Sequence, residues 1–428
     1  MKKLILMLLV LVGGVIQANA TDYTKRIYIK AENTSWRENT TGLNIYIWNS
    51  STNADVTNSW PGNSLERIPS TDWFYVDINS NVSTVKCKIN TNNEPRWETN
   101  ESGQFSLLDN NVIYLTSDYT PNLNAFSFDG YVLAKGYFSS SDKITSLTQD
   151  GLELTKTIDM SSEEDDVNFW VFPAILSNGY YVGELAISPN TDNNFELSSF
   201  IKYEDNIKYG DSKKWVEKAH QKYDVTINLS TNKFTFTPYF ERTISGVQYG
   251  SYYYATFSSA NQVAVPSGVN AYYASSSDGN KVTMNAFSSG IRSTDGAFLR
   301  FSTNNTSYKF SATNTTDSPT TNYLKPASSS GIPANSYVFA SQNGKVGFFK
   351  VSNGLNGDYT NKAYLQISSS APSFDIEFGD GETTGIYRIV IDNHQETGND
   401  YIYDLSGRRL AEPTKGINIV NGKKVIIK

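Results

Sequence analysis

Short runs in which apolar and polar residues alternate recur along the chain, separated by polar turns. Between residues 25 and 120 the runs are RIYIK, NIYIW, WFYVDI, VKCKIN and VIYL. A period of two is the mark of a half-buried β-strand. The predicted inward sets are Ile27 and Ile29; Ile45 and Ile47; Phe74, Val76 and Ile78; Val85, Cys87 and Ile89. The opposite sets are Tyr28; Tyr46 and Trp48; Trp73 and Tyr75; Lys86 and Lys88. A merely solvated face has little use for so many aromatic rings. That second face is therefore either a further buried layer or a surface made for contact.

The same alternation continues downstream. Residues 122–240 hold YVLAKGYF, LELTKTIDM, DVNFWVFPAI and YYVGEL, and close on YDVTINL and KFTFTPYF joined through STN, a predicted hairpin. Within them KYGDSKKWVEKAHQKYD is the one stretch expected to be helical or irregular. Residues 241–383 again read as strands and turns, punctuated by Asp278-Gly279, Asp295-Gly296 and Asn343-Gly344. In the tail, residues 384–428, INIV and KKVIIK flank Asn421-Gly422, a strong short hairpin signal. The predicted fold is all-β: several β-sandwich domains in tandem (21–121, 122–240 and an accessory β domain at 241–383) with a short C-terminal β-hairpin region. Residues 1–20, with Lys2-Lys3, an apolar run and Ala18-Asn19-Ala20, have the layout of a cleaved secretory signal, which predicts export to the exterior or the cell surface. No later run is long and apolar enough for a transmembrane helix.

Composition narrows the function classes. A net charge of −7 offers no basic footprint, so nucleic acid is not an expected partner. The single cysteine, Cys87, lies among inward residues and reads as a small buried apolar group. The two histidines, His220 and His394, fall in different expected domains, which argues against a shared triad or zinc site. No Gly-rich phosphate loop follows a strand, and no cofactor is expected. Aromatics are concentrated at the start: Trp36, Trp48, Trp60, Trp73 and Trp97 make five of the seven tryptophans.

The first of these strands and turns also form a recognisable series. IYIK, then Trp36 in a polar loop, NIYIW, the Trp60-Pro61-Gly62 turn, WFYVDI and VKCKIN ending in Asn90 resemble a family 26 starch-binding carbohydrate-binding module, over nearly all of residues 25–100. The resemblance implies a β-sandwich that holds α-glucan. The closing YDVTINLSTNKFTFTP is similar to β-sandwich repeats of outer-membrane starch-binding proteins of Bacteroidetes. YATFSSANQVAVPSGVNAYYA and IPANSYVFASQNGKVGFFKV look like an accessory β domain of secreted proteins from that phylum. The tail, YDLSGRRL followed by PTKGINIVNGKKVIIK, resembles type IX secretion C-terminal sorting domains, and implies contact with export machinery.

A sugar site needs flat apolar faces for the C–H side of pyranose rings and polar groups for the hydroxyls. Trp and Tyr supply the first with few rotors to immobilise; Lys and Asn supply the second. The candidate carbohydrate-binding residues are Tyr28, Trp36, Tyr46, Trp48, Lys86, Asn90 and Trp97. Against them stands packing, because a strand aromatic serves equally well beneath a loop or a second sheet. Trp60, leading into Pro-Gly, is expected to pin its turn to the core. The expected function is non-catalytic binding of an α-glucan polysaccharide, with an adhesive or structural surface protein as the alternative. A glycoside hydrolase ranks third. Hydrolysis needs two carboxylates at a fixed separation beside the sugar, and the acidic run Glu163, Glu164, Asp165, Asp166 reads as a solvated loop.

Overall fold

The computed structural model describes residues 24–31, 42–91, 98–107, 112–115, 120–135, 139–162, 167–210, 213–217, 221–379, 402–404, 409–410, 416–420 and 423–427. Trp36, Trp97, both histidines and the acidic run at 163–166 lie outside these residues, as does the predicted signal segment. Among the described residues the architecture is all-β, with two three-residue 3₁₀ turns and no α-helix. No helix among them is long and apolar enough to cross a membrane.

The alternating runs at the start become β1 (Thr24–Ala31), β2 (Leu43–Asn49), β3 (Asn63–Ser64), β4 (Glu66–Arg67), β5 (Trp73–Asn79), β6 (Val85–Thr91), β7 (Val112–Leu115) and β8 (Pro121–Asn122). They form two sheets, β4-β5-β1-β7-β8 and β3-β2-β6. All of the predicted inward residues of these strands are buried in one shared core between the two sheets. Full burial of an Ile or Val side chain contributes about 1.5–3 kcal/mol, so this row of contacts fixes the register of both sheets.

The small sheet would otherwise present bare edges. Hydroxyls close them: Thr57 Oγ1 accepts the Ile47 N–H at 3.0 Å, Ser102 Oγ that of Cys87 at 2.9 Å, and Thr99 Oγ1 that of Ile89 at 3.0 Å. Returning backbone bonds run from Thr57 N–H to Ile47 O, Ser102 N–H to Cys87 O and Thr99 N–H to Ile89 O. Loops so bonded satisfy ladder groups that could otherwise pair with another chain.

The outer face of the larger sheet is covered by the next stretch of chain. Tyr28 and Trp73 belong to a second buried core together with Tyr131, Phe169, Trp215, Tyr223 and Phe236. The sheet around that core runs from Lys143–Ser146 through β9 (Ser127–Lys135), Val167–Ser177, Ile187–Pro189, Tyr203–Tyr209, Lys233–Ile244, Lys222–Asn228 and Glu153–Asp159 to Thr148–Asp150. The STN hairpin is present, with Asn228 opposite Lys233 and Asn232 at φ 52°. Of the stretch expected to be helical or irregular, residues 208–224, the described residues are strand at Lys208 and Tyr209, at Trp215–Glu217 and from Lys222 onward, and irregular at Gly210, Lys213, Lys214 and Gln221. Trp215 is fully buried and lies opposite Phe169 on one side and Phe195 on the other, so burial of its ring sets the local structure.

Strand Lys233–Ile244 runs past residue 240. Its first half pairs Lys222–Asn228 and its second half pairs Thr306–Ser311, with Tyr239 opposite both Lys222 and Ser311. A ten-stranded sheet comes next, drawn from residues between Val247 and Phe378. The tail is a separate compact unit. Its antiparallel four-stranded sheet has Gly416–Val420 and Lys423–Ile427 paired with Val420 opposite Lys423, the predicted hairpin.

Candidate carbohydrate-binding site

The outer face of the small sheet is built from three cross-strand rows. Register pairs Asn44 with Asn90, Tyr46 with Lys88, and Trp48 with Lys86. The Trp60-Pro61-Gly62 turn folds over the first row. Asn90 is fully buried there and its Nδ2 donates to Pro61 O at 3.0 Å, while Asn44 is also buried and its Nδ2 donates to Gly42 O at 2.8 Å. The turn sits this close because residue 62 is glycine. A Cβ at that position would stand 2.0 Å from Ile45 O, and its φ of +94° is itself one that side chains rarely adopt.

The other two rows stay open. Tyr46 and Trp48 are half-buried and face outward, their rings nearly parallel (21°) with centroids 5.4 Å apart. Trp60 stands at 73° to Tyr46, 5.6 Å away, and is 50% exposed. The Tyr46 hydroxyl donates to Asp55 Oδ1, a bond that raises the Tyr46 pKa and fixes the ring's tilt. Lys88 Nζ pairs with Glu98 at 2.9 Å and Lys86 Nζ with Glu101 at 3.3 Å. All four of these groups keep part of their surface in water. Such pairs contribute little to stability, about 0–1 kcal/mol. They leave ammonium donors and carboxylate acceptors at the border of an aromatic surface. Beneath the sheet, burial pushes the Cys87 thiol up to about 12, which keeps it protonated.

Several sequence expectations change. Tyr28 is not on this face. It is fully buried on the opposite side of the sandwich, where its hydroxyl meets those of Tyr131 at 3.3 Å and Tyr209 at 3.1 Å. β1 belongs to the larger sheet, and the residues downstream of the module cover that sheet's outer face. Asn90 is likewise not available to a sugar, because it holds the turn. Trp60 is not the residue that pins the turn: Pro61, Gly62 and Asn90 do that, and the indole is left outside. Trp73 is fully buried, edge-on to Phe126 at 5.4 Å.

Tyr46, Trp48 and Lys86 come together as expected, with Trp60, Lys88 and Asp55 in addition. Trp36 and Trp97 lie outside the described residues. One signal in the sequence pointed toward Trp60. Asn44 and Asn90 continue the outer sets of β2 and β6, and a polar row flanked by aromatic rows asks for a cover. Among the described residues no three His, Cys, Asp or Glu side chains converge as a metal site would require.

Neither a family model nor a curated protein matches the chain. Among solved structures it is similar to SusF from Bacteroides thetaiotaomicron, at 10% identity and a TM-score of 0.23, over 80% of this chain and 90% of that one. A TM-score of that size carries no inference about ligand.

Proposed function

We propose that this is an exported, non-catalytic carbohydrate-binding protein that holds α-glucan on the outer face of β2 and β6. The observation that carries the reading is the cluster of Tyr46, Trp48 and Trp60, three rings left in contact with water on one rigid surface. Exposed aromatic area of this kind is costly unless something covers it. Pyranose C–H faces would lie on the rings, and hydroxyls would exchange hydrogen bonds with Lys86, Lys88, Glu98 and Glu101. The choice of α-glucan comes from the resemblance of residues 25–100, and surface delivery from that of the tail. Trp36 and Trp97 remain candidates for the same surface.

One such site binds weakly, roughly millimolar to micromolar, or about 4–8 kcal/mol. The test is migration of the full chain through a native gel containing soluble amylopectin. The parent is expected to be retarded, and Trp48→Ala and Trp60→Ala are each expected to lose about tenfold in affinity, in the range of interface anchors. Retardation that survives both substitutions would remove the site from this face. Release of reducing ends from starch would overturn the non-catalytic part.

A further inference from the structure

A second place in the molecule leaves apolar side chains against solvent, and none of its residues belongs to the glycan surface. In the ten-stranded sheet, strand Tyr252–Phe257 comes back beside Ala363–Leu365. The seam is tied next to this approach: Ser258 N–H donates to Asn361 O at 3.1 Å, and Ser258 Oγ to Lys362 O at 2.7 Å. Beside the tie lies a cavity of about 320 Å³. Its walls include Ile332, Val338, Phe339 and Leu355, with Tyr254, Tyr359 and Lys362 as the larger polar members. The volume falls within the range of ligand sites, about 300–1,000 Å³.

Two features identify a ligand class. Val338, Phe339 and Leu355 are only half-buried, so the walls keep apolar area that an occupant would cover. No lining residue is acidic, and Lys362 is the sole cation among them. Its backbone is fixed, since its N–H donates to Tyr359 O at 2.9 Å and its carbonyl accepts from Ser258 and Ala327. Lys362 is exposed and forms no ion pair among the described residues, in contrast to Lys222, Lys281 and Lys309. An apolar wall beside one uncompensated cation complements a molecule with an apolar body and a single negative end.

We propose that this cavity binds a small amphipathic carboxylate, its apolar body against Val338, Phe339 and Leu355 and its carboxylate at the Lys362 ammonium. The test is equilibrium dialysis of the full chain against labelled octanoate, with 1-octanol as the uncharged control. Uptake of octanoate is expected to saturate at one equivalent. Lys362→Met keeps the stem and removes the charge, and is expected to weaken octanoate about fivefold while leaving octanol unchanged. Val338→Trp fills the cavity and is expected to abolish both. Folding of each variant is checked separately by circular dichroism and by urea unfolding. The proposal is overturned by absence of saturable uptake in the parent, by equal loss of both ligands in Lys362→Met, or by unchanged binding in a folded Val338→Trp.

Discussion

The first sandwich has two outer faces, and both are aromatic with basic residues beside the rings. On the larger sheet the face carries Arg26, Tyr28, Trp73 and Tyr75; on the smaller one, Tyr46, Trp48, Lys86 and Lys88. On the first face Arg26 and Tyr28 also find partners contributed from far along the chain, at Tyr131, Tyr209 and Leu229. Arg26 is 2% exposed and bidentate to Asp77 at 2.8 and 2.9 Å. It also donates to Tyr209 Oη at 2.8 Å and Leu229 O at 3.0 Å, and lies 4.0 Å over the Tyr75 ring. On the second face the polar partners are local, Asp55, Glu98 and Glu101, and the rings are left open. Residue types alone do not tell an interface already filled from one still to be filled. The supply of matching groups elsewhere in the same chain does.

Breaking the filled face should have the largest effect, and it should fall on stability. Arg26→Met leaves Asp77 in a partly buried site without its cation and removes two further hydrogen bonds. Loss of one partner of a buried pair costs about 3–5 kcal/mol, to be read from the urea midpoint of the full chain. Glycan retardation is expected to stay normal wherever the variant is still folded. If retardation vanished while stability held, the division of labour between the faces would be wrong.

A milder change on the same face sharpens the correction at Tyr28. Tyr28→Phe keeps the ring in its core and deletes a hydroxyl that meets two others. About 1 kcal/mol of stability should be lost, the usual net worth of a buried hydrogen bond. Binding of amylopectin should be unchanged. A large loss of binding in a fully folded Tyr28→Phe would return Tyr28 to the sugar site.

The comparison also shows what was legible in the sequence. Period two separated inside from outside in β1, β2, β5 and β6, because a one-residue slip turns a strand's whole core-facing set outward, Ile27 with Ile29 or Ile45 with Ile47. It could not say what lies beyond an outer face. Tyr28 and Tyr46 occupy equivalent positions in the pattern, and groups more than a hundred residues downstream of Tyr28, Tyr131 and Tyr209 among them, decide between them. Trp60 was misplaced for a local reason. The turn is secured by backbone contact at Gly62 and by the Asn90 amide, which frees the indole that usually does such work. Trp215 was hidden by its neighbours, since Lys213, Lys214, Glu217 and Lys218 mask a short buried strand within a charged stretch.

The smallest expected effect lies on the open face. The Tyr46 hydroxyl touches no sugar in the proposed arrangement; through Asp55 it sets the angle of its ring beside Trp48 and Trp60. Tyr46→Phe retains the stacking area and releases that tether. Stability should move by less than about 0.5 kcal/mol, as at other exposed sites. Affinity for amylopectin should fall about two- to threefold, because a ring free to tilt loses part of its preorganisation. Asp55→Asn can still accept the hydroxyl hydrogen bond and should keep most of the parent affinity. If Asp55→Asn instead weakened binding more than Tyr46→Phe, the carboxylate would be contacting the glycan directly, and Asp55 would move from positioning the ring to recognising the sugar.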